Sequence, residues 1–395
     1  MISDHLKDTL IEEIVKGLIG QGSEGLKPAL ELLMNAAMKI EREHVLGAGS
    51  YERTEGRQGY ANGYKPKELQ TRMGALELKV PKVRGLSFYP RSLERGTRSE
   101  KALKLAIAQM YLEGVSTRNV QDITEKLCGF EISSSQVSRV TQELDEQFEQ
   151  FRNRSIGEIC YLTVDAIYLK VRHSGSVIDM AILLAYGITP EGRREILGAS
   201  ASLSEAEVHW REFLQHLQYR GMHGVRLIIS DDHAGLGKAR CTVFPSVPWQ
   251  RCQFHLAQNA QSYAPKKSMK GEIAETMRAI FASPTLDLAR EMVRRAVTKY
   301  SKKAVAFAKW LEENIEEGLT VYAFPQEHWK KLRTSNGIER VNKEIRRRTR
   351  VAVLFPNPAS ALRLVTGVIM EIHEEWVVKK YLDMTPLLNQ GMNDE

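Results

Sequence analysis

The sequence lacks a long apolar run and has little cysteine. No stretch approaches the roughly 18 uninterrupted apolar residues of a membrane-spanning helix. The N-terminal MISDHLKDTL carries acids where a secretory signal peptide has a basic start and an apolar run. Four cysteines in 395 residues are too few for a disulfide framework. These absences predict a protein of a reducing cytoplasm that does not span a membrane.

The composition is otherwise that of a globular protein with an excess of positive charge. Hydrophobic residues make up 43% of the chain and charged residues 27%, which is ordinary for a folded domain. The length allows two or three domains. A net charge of +7 and a pI of about 9.1 favour non-specific association with a polyanion such as DNA.

The N-terminal part divides into a helical region and a hairpin region. Residues 2–45 have apolar side chains at helical spacing. Residues 47–67, rich in Gly, Tyr, Arg and Asn, leave two interpretations open: an exposed basic loop whose rings lie on sugars or bases, or a solvated linker. Two strands, Glu68–Met73 and Leu76–Val83, are predicted next and are joined at Gly74.

Residues 100–150 are predicted to be helical and contain a helix-turn-helix rhythm. Ser116 is predicted to cap a helix that ends at Gly129, and Ser133 to cap the next helix. The side chains that this second helix would offer to a DNA groove are Gln136, Ser138, Arg139 and Gln142. A plain helical bundle has the same rhythm and remains the alternative.

From residue 158 the pattern changes to period-two and continuous apolar runs, typical of strands. The predicted elements are strands Ile159–Arg172, Val177–Ile188 and Glu195–Leu203, a helix over Glu205–Tyr219, strand Val225–Ser230, a further helix, and strand Trp249–Phe254. This is the element order of a ribonuclease H-like core of the mixed α/β class. Residues 256–330 are helix-rich and too long for a loop, which predicts an all-α insertion. The predicted regions are therefore 1–95, 96–153 and 154–395.

Three acids occur where metal-dependent DNA chemistry would need them. Asp165 interrupts an apolar strand, Asp231 follows another, and Glu339 lies in a predicted helix, with separations of 66 and 108 residues. A buried, unpaired carboxylate costs several kcal/mol, so Asp165 needs a metal, a cation or hydrogen bonds. Asp231 is favoured over Asp232 because it comes first after the strand, where open α/β sheets place their sites. Pairing of Asp165 with a core cation remains the alternative.

These acids predict a site for two divalent metals. In-line phosphodiester displacement uses one metal to activate the attacking oxygen and one to stabilise the leaving oxygen. Mg²⁺ takes hard oxygen ligands and retains several waters, so a few carboxylates suffice. We therefore expect Asp165, Asp231 and Glu339 to hold Mg²⁺, with Mn²⁺ as a substitute.

The predicted helix of Glu339 also carries a cationic row. At 100° per residue, Lys343, Arg346 and Arg350 fall within about 40° of the Glu339 direction. A carboxylate followed by cations suits the holding of a phosphate backbone. An exposed helix with an i,i+4 pair between Glu339 and Lys343 is the alternative. Ser335 and Asn336 are predicted to cap this helix.

Cys252 and His255 have a C-x₂-H spacing that suits zinc. A structural zinc site needs four ligands, however, and Cys241 is the one further candidate nearby in the sequence. A structural or DNA-facing role is favoured instead. Arg251 adds charge to this segment, so Arg251 and His255 are predicted DNA contacts.

The segments discussed above resemble the mutator-type transposases of bacterial insertion sequences, a branch of the DDE recombinases. The resemblance covers most of the chain and rests on GYANGYKPKELQTRMGALELKVPKVRG, YLEGVSTRNV, ISSSQVSRV, VDAIYLKVR, ILGASASLSEAEVHWREFLQHLQYRG, IISDDHAGL, CQFH and FPQEHWKKLRTSNGIERVNKEIRRRTRV. In that family's T-T-N element the second threonine is Ser335 here, a conservative change.

The resemblance implies that Asp165, Asp231 and Glu339 form a DDE triad and that Cys252 and His255 form the family's C/D-x₂-H element. It implies a ribonuclease H-like fold with a helical insertion between the second Asp and the Glu. It also implies binding of terminal inverted repeats and target DNA, cleavage and strand transfer, and action on the nucleoid as a homo-oligomer. Two alternatives stay open: a non-catalytic DNA-binding protein, and a nuclease of the same fold that does not rejoin ends.

Overall fold

A computed structural model describes residues 12–16, 19–20, 22–49, 52, 54, 56–93, 101–128, 130, 132–142, 144–350 and 354–393. The chain divides into two compact units, Met1–Glu143 and Leu144–Glu395. Both helices and sheets are present, so the fold is mixed α/β as predicted. None of the helices in these ranges is long and apolar enough to cross a bilayer.

The first unit begins with a helix on a two-stranded sheet. Helix α1 (Leu26–Leu46) contacts the antiparallel hairpin of β1 (Tyr60–Thr71) and β2 (Gly74–Arg84). The buried side chains of this core are Met38, Leu69, Leu76, Leu78, Val80 and Leu93. Because β1 begins at Tyr60, the predicted loop over residues 47–67 is wrong for its second half. Pro66 is tolerated there because a two-stranded sheet has only edge strands.

Three short helices complete the first unit: α2 (Lys101–Leu112), α3 (Thr117–Cys128) and α4 (Ser134–Gln142). They share a core of Leu103, Ile107, Val120, Ile132 and Val137. Ser116 Oγ accepts a hydrogen bond from the Asn119 amide, as predicted for a helix cap. Ser133 and Gln136 form a reciprocal capping box, since each side chain accepts from the other's backbone amide. Gly129 lies outside the described residues.

The second unit is built on a five-stranded sheet. Its strands are β3 (Tyr161–His173), β4 (Ser176–Ile188), β5 (Arg194–Ser202), β6 (Leu227–Ser230) and β7 (Trp249–Arg251), in the spatial order β5-β4-β3-β6-β7. The first three strands are antiparallel, whereas β6 pairs in parallel with β3, and β7 in parallel with β6. The predicted order of strands and helices along this part of the chain is observed.

Helices cover both faces of the sheet. Residues 253–332 are described separately below. The other described helices of this unit are α5 (Asp145–Asn153), α6 (Glu207–Tyr219), α7 (Ala234–Val243), α13 (Asn336–Thr349), α14 (Pro358–Val377) and α15 (Thr385–Asn393). Trp210, Phe213 and Leu217 of α6 join the core of the sheet. Helix α14 contacts β5 and β3. Because both faces are covered, β4 is buried continuously from Met180 to Ile188.

Helix α5 belongs to the second unit, whereas its residues fall in the predicted region 96–153. Asp145 forms a bidentate ion pair with Arg363 of α14, at 2.6 and 2.7 Å. The Phe151 ring lies edge-on to His373 of the same helix, with centroids 5.3 Å apart. These contacts hold α5 on α14, so the division falls before the predicted boundary at 153/154.

Residues 253–332 form a helical segment with its own core. Its helices are α8 (Gln253–Ser262), α9 (Lys270–Phe281), α10 (Leu286–Tyr300), α11 (Val305–Asn314) and α12 (Gln326–Leu332), with 3₁₀ turns at Lys267–Met269, Ile315–Gly318 and Thr320–Ala323. Its core includes Leu256, Met277, Tyr300, Phe307 and Leu311. The predicted strand Trp249–Phe254 ends early at Arg251, so His255 lies on a helix.

One glycine lets α13 approach the sheet closely. A Cβ atom at Gly337 would lie 2.3 Å from the Tyr186 hydroxyl oxygen and 2.7 Å from its Cζ. Tyr186 is buried on β4, and its ring is edge-on to Trp376 of α14. It therefore has no open side into which it could retreat.

We predict that Gly337→Ala lowers the free energy of unfolding by about 1–3 kcal/mol, because the added methyl overlaps Tyr186. Gly271→Ala is the matched control, since Gly271 is also helical and has nothing within 4 Å of an added Cβ. That change should leave stability unchanged or raise it by up to about 1 kcal/mol. Urea unfolding measures both. Equal stability of the two variants would contradict the steric argument.

Candidate active site

Strand register brings Asp165 and Asp231 together. In the parallel pair, Tyr161 is opposite Leu227 and Thr163 is opposite Ile229, an offset of 66 residues. The same offset separates Asp165 from Asp231, so the two acids lie at equivalent positions where β6 ends. The parallel pairing therefore makes neighbours of two carboxylates that are far apart in sequence.

Helix α13 brings Glu339 and Asn342 to the same place. Asn342 Nδ2 donates to Asp165 Oδ2 at 2.6 Å, and the Ala166 amide donates to Asp165 Oδ1 at 2.8 Å. Ser335 Oγ donates to Glu339 Oε1 at 2.9 Å. Ser335 is the N-cap residue of this helix, as predicted, but its hydroxyl makes no cap hydrogen bond and orients the glutamate instead. Asn342 was not predicted; its position three residues after Glu339 on one helix face was the available sequence signal.

The three acids line one cleft of about 540 Å³. Its walls are Asp165, Ala166, Asp231, His255, Asn336, Glu339, Arg340, Asn342, Lys343 and Arg346. Burial raises the pKa of Asp165 to about 7, and the charge of Asp231 raises it as well, against the hydrogen bonds from Ala166 and Asn342 that lower it. A cation in the cleft would relieve this repulsion.

The oxygen atoms at the acids fit a hard divalent cation. Asp165, Asp231 and Glu339 offer carboxylate oxygens, and Asn342 offers an amide oxygen. Asn342 Oδ1 is buried and has no hydrogen-bond partner in the described structure. An unsatisfied buried acceptor beside carboxylates is suited to a cation or its bound water. The donor set therefore fits Mg²⁺ or Mn²⁺.

Asp231 also belongs to a second group, with Cys252 and His255. One ligand atom from each of the three lies within 4.8 Å of the others, so Asp231 replaces Cys241 as the third member. His255 Nδ1 forms an ion pair with Asp231 Oδ1. The hydrogen bond to Asp231, followed by that to Cys252, raises the pKa of His255 to about 10. The ion pair with His255 therefore holds Asp231 in place beside the cleft.

Cys252 connects this ion pair to the helix of Glu339. The thiol is fully buried, and its sulfur accepts from the Ser335 amide at 3.4 Å and lies 3.2 Å from Ser335 Oγ. Burial raises the pKa of the Cys252 thiol, but the hydrogen bonds from His255 and Ser335 outweigh burial and lower it. Ser335 thus contacts both Cys252 and Glu339, which links the C-x₂-H element to the acids.

Exposed cations lie beside the acids on α13. Lys343 and Arg346 line the cleft as predicted for the cationic row, and Arg340 joins them although it was not predicted. None of the three forms an ion pair with a described residue, so Glu339 and Lys343 are not the i,i+4 pair of the alternative. Arg350 is exposed at the end of the helix and does not line the cleft.

Arg251 does not face solvent as a predicted DNA contact would. Its side chain is 3% exposed and lies 3.0 Å from Asp232 and 2.8 Å from Glu317. A guanidinium enclosed by two carboxylates is not available to a phosphate, so this prediction is corrected. Asp232 is engaged with Arg251, whereas Asp231 faces the cleft, in agreement with the preference for Asp231.

The other predicted DNA contacts lie on α4 in the first unit. Arg139 is exposed on this helix. Gln136 Oε1 accepts a hydrogen bond from the Ser133 amide, so its amide oxygen is used in the helix cap. Only its amide nitrogen is left for a partner. Contact of these residues with DNA stays a prediction.

The family described as Transposase, Mutator family, matches residues 1–379. The chain is 50% identical to the transposase for insertion sequence element IS406 of Burkholderia multivorans over 95% of this chain and 98% of that protein. It is 40% identical to the ISRM5 transposase of Rhizobium meliloti, with 94% of each chain covered. It is 39% identical to the IS256 transposase of Tn4001 from Staphylococcus aureus, with 90% and 93% covered.

We predict that Arg251→Met lowers the free energy of unfolding by about 1–3 kcal/mol, because two carboxylates lose their buried partner and remain half exposed. Arg290→Met is the matched control. Arg290 pairs with Glu316, which lies in the same 3₁₀ turn as Glu317, but Arg290 is itself exposed. An exposed pair contributes about 0–1 kcal/mol. Chemical denaturation measures the free energy of unfolding of both variants. Equal losses of this free energy would contradict a structural role for the burial of Arg251.

Proposed function

The chain belongs to the mutator family of transposases, and on that premise we propose that it moves an insertion sequence by cutting DNA at the element's ends and joining them to a target. The observation that carries the proposal is the convergence of Asp165, Asp231 and Glu339 on one cleft. Three carboxylates at the end of a parallel strand pair form a site suited to phosphodiester chemistry. Names of the related proteins, all insertion-sequence transposases, support the same function.

In this proposal the acids form a DDE triad that holds divalent metal. Asp165 and Asp231 would flank the ions, while Glu339 and Asn342 Oδ1 would complete the oxygen ligands. Two bound Mg²⁺ ions would activate the attacking oxygen and stabilise the leaving oxygen, with Mn²⁺ as a substitute. The Asn342 amide orients Asp165, Ser335 orients Glu339, and His255 holds Asp231. Each acid therefore has one positioning partner from this chain.

The exposed cations would hold the substrate. Arg340, Lys343 and Arg346 form no ion pair within the part of the chain that the structure describes, and they line the same cleft as the acids. A DNA phosphate between them would gain charge-assisted hydrogen bonds while an adjacent phosphodiester lies at the acids. Either water or a freed 3′-hydroxyl could then be held in line with that bond.

The proposed fold of the catalytic region is a ribonuclease H-like core interrupted by the helical segment. The antiparallel β3-β4-β5 meander followed by parallel β6 and β7 supports it. Helices α2–α4 would be a helix-turn-helix that recognises terminal inverted repeats, with Arg139 exposed for contact. Synapsis of two element ends would require a homo-oligomer.

The proposal is tested with purified protein, labelled element ends and a supercoiled target plasmid. We expect nicks at the element ends and joined products with Mg²⁺ or Mn²⁺, and neither product with EDTA. Nicks without joined products would indicate a nuclease. Binding without any cleavage would indicate a non-catalytic DNA-binding protein.

We predict that Asp165→Asn lowers cleavage and joining by more than about 100-fold, because loss of a ligand should exceed the 10–100-fold effect typical of outer-shell changes. Binding to element ends should be nearly unchanged. Asp232→Asn is the control: it removes a charge next to Asp231 but outside the cleft. Gel electrophoresis of products and a binding titration measure the two effects. Strand transfer by Asp165→Asn at the normal rate would refute the triad.

A further inference from the structure

The two ends of the helical segment (residues 253–332) carry charged side chains of opposite sign. Its near end lies at the sheet, where Gly318 approaches Leu256 and Phe281, and where Arg251 of β7 pairs with Glu317. Acids are concentrated at this near end: Glu312, Glu313, Glu316 and Glu317. Helices α9 and α10 each have one terminus at the near end, and their other termini define the far end of the segment. Charge of the opposite sign collects there.

Six lysines form a cluster at the far end. They are Lys266, Lys267, Lys270, Lys299, Lys302 and Lys303, and all are exposed. Contacts between α9 and α10 show that the two groups of lysines are neighbours: Lys299 pairs with Glu272 at 2.7 Å, and Thr276 contacts the Tyr300 hydroxyl at 3.1 Å. The hydrogen bond from Lys299, and to a smaller extent the charge of Lys303, lowers the pKa of Glu272.

These lysines are not accounted for by stabilisation of the fold. Apart from Lys299, none of them forms an ion pair with a residue that the structure describes. Lys267 and Lys270 lie at the N-terminus of α9, where the helix dipole disfavours positive charge. Lys302 and Lys303 lie between the C-terminus of α10, which favours positive charge, and the N-terminus of α11, which disfavours it. The nearby acids on α9 are Glu272 and Glu275, too few to neutralise the cluster. The far end therefore presents net positive charge to an external polyanion.

We propose that this lysine end of the helical segment is a second DNA-binding surface, which contacts backbone phosphates away from the acid cleft. The inference rests on the proposed function, since DNA is the polyanion that the enzyme must hold. Helix α8 runs from His255 in the cleft towards the cluster and is about 15 Å long at 1.5 Å per residue. At about 3.4 Å per base pair, the lysines would meet phosphates on the order of five base pairs from the bond cut.

The test measures binding of duplex element ends at several salt concentrations in the Asp165→Asn background. The five lysines without ion pairs are changed to glutamine: Lys266→Gln, Lys267→Gln, Lys270→Gln, Lys302→Gln and Lys303→Gln. Each lost phosphate contact reduces the magnitude of the slope of log affinity against log salt by about 0.9, so loss of all five contacts should reduce it by about 4.5. The corresponding five arginine substitutions should retain the slope.

Two double variants distinguish an effect of where the lysines lie from a general effect of lost positive charge. Lys302→Gln with Lys303→Gln should lower the slope by about 1–2, whereas Lys379→Gln with Lys380→Gln, also adjacent and exposed, should not change it. Circular dichroism verifies folding of each variant. Phosphate ethylation interference should lose its signal on the order of five base pairs from the cleaved bond in the five-glutamine variant.

The outcomes distinguish this proposal from the proposed function. If the wild-type protein binds and cleaves element ends while the five-glutamine variant keeps the full salt slope and affinity, the lysine surface is refuted and the function stands. If the wild-type protein binds no DNA, the proposed function fails and this surface fails with it. Equal slope losses in the Lys302/Lys303 and Lys379/Lys380 pairs would also refute a localised surface.

Discussion

Parallel pairing of β3 with β6 is the constraint on which the site depends. Its offset of 66 residues equals the distance in sequence between Asp165 and Asp231, so any other register would separate these carboxylates. The antiparallel pairing of β3 with β4, which extends from Tyr161 opposite Ile188 to His173 opposite Ser176, fixes the position of β3 in the sheet. Burial, followed by the charge of the neighbouring Asp231, raises the pKa of Asp165.

Polar contacts around the acids connect the remaining elements to this strand pair. Gln250 and Gln253 both donate to the Gly318 carbonyl, and both side chains are buried. Cys252 between them accepts from the Ser335 amide before α13. Buried polar groups must be paired, so the end of β7 cannot move without loss of several hydrogen bonds. The helical segment, α13 and the acid cleft are therefore held in one arrangement by the side chains of Gln250, Cys252 and Gln253.

Two groups of arginines in the second unit differ in their partners. Arg251, Arg348 and Arg363 are buried in ion pairs that join elements, at 2.6–3.0 Å from carboxylates. Arg340 and Arg346 are exposed at the cleft without such partners. Buried arginines support the fold, since each would be costly to leave unpaired. The basic net charge is thus a poor guide to which cations meet a ligand.

Sequence periodicity alone determined the strands of the sheet, their order along the chain and the helices around them, because apolar spacing records which faces are buried. The sequence also singled out Asp165 and Asp231 beside apolar strand residues, and Glu339 at the start of a cationic row. The tertiary structure decided the partners. Pairing between distant segments buried Arg251, joined His255 to Asp231 and brought Asn342 to Asp165, and no local pattern records contacts across 20 to 177 residues.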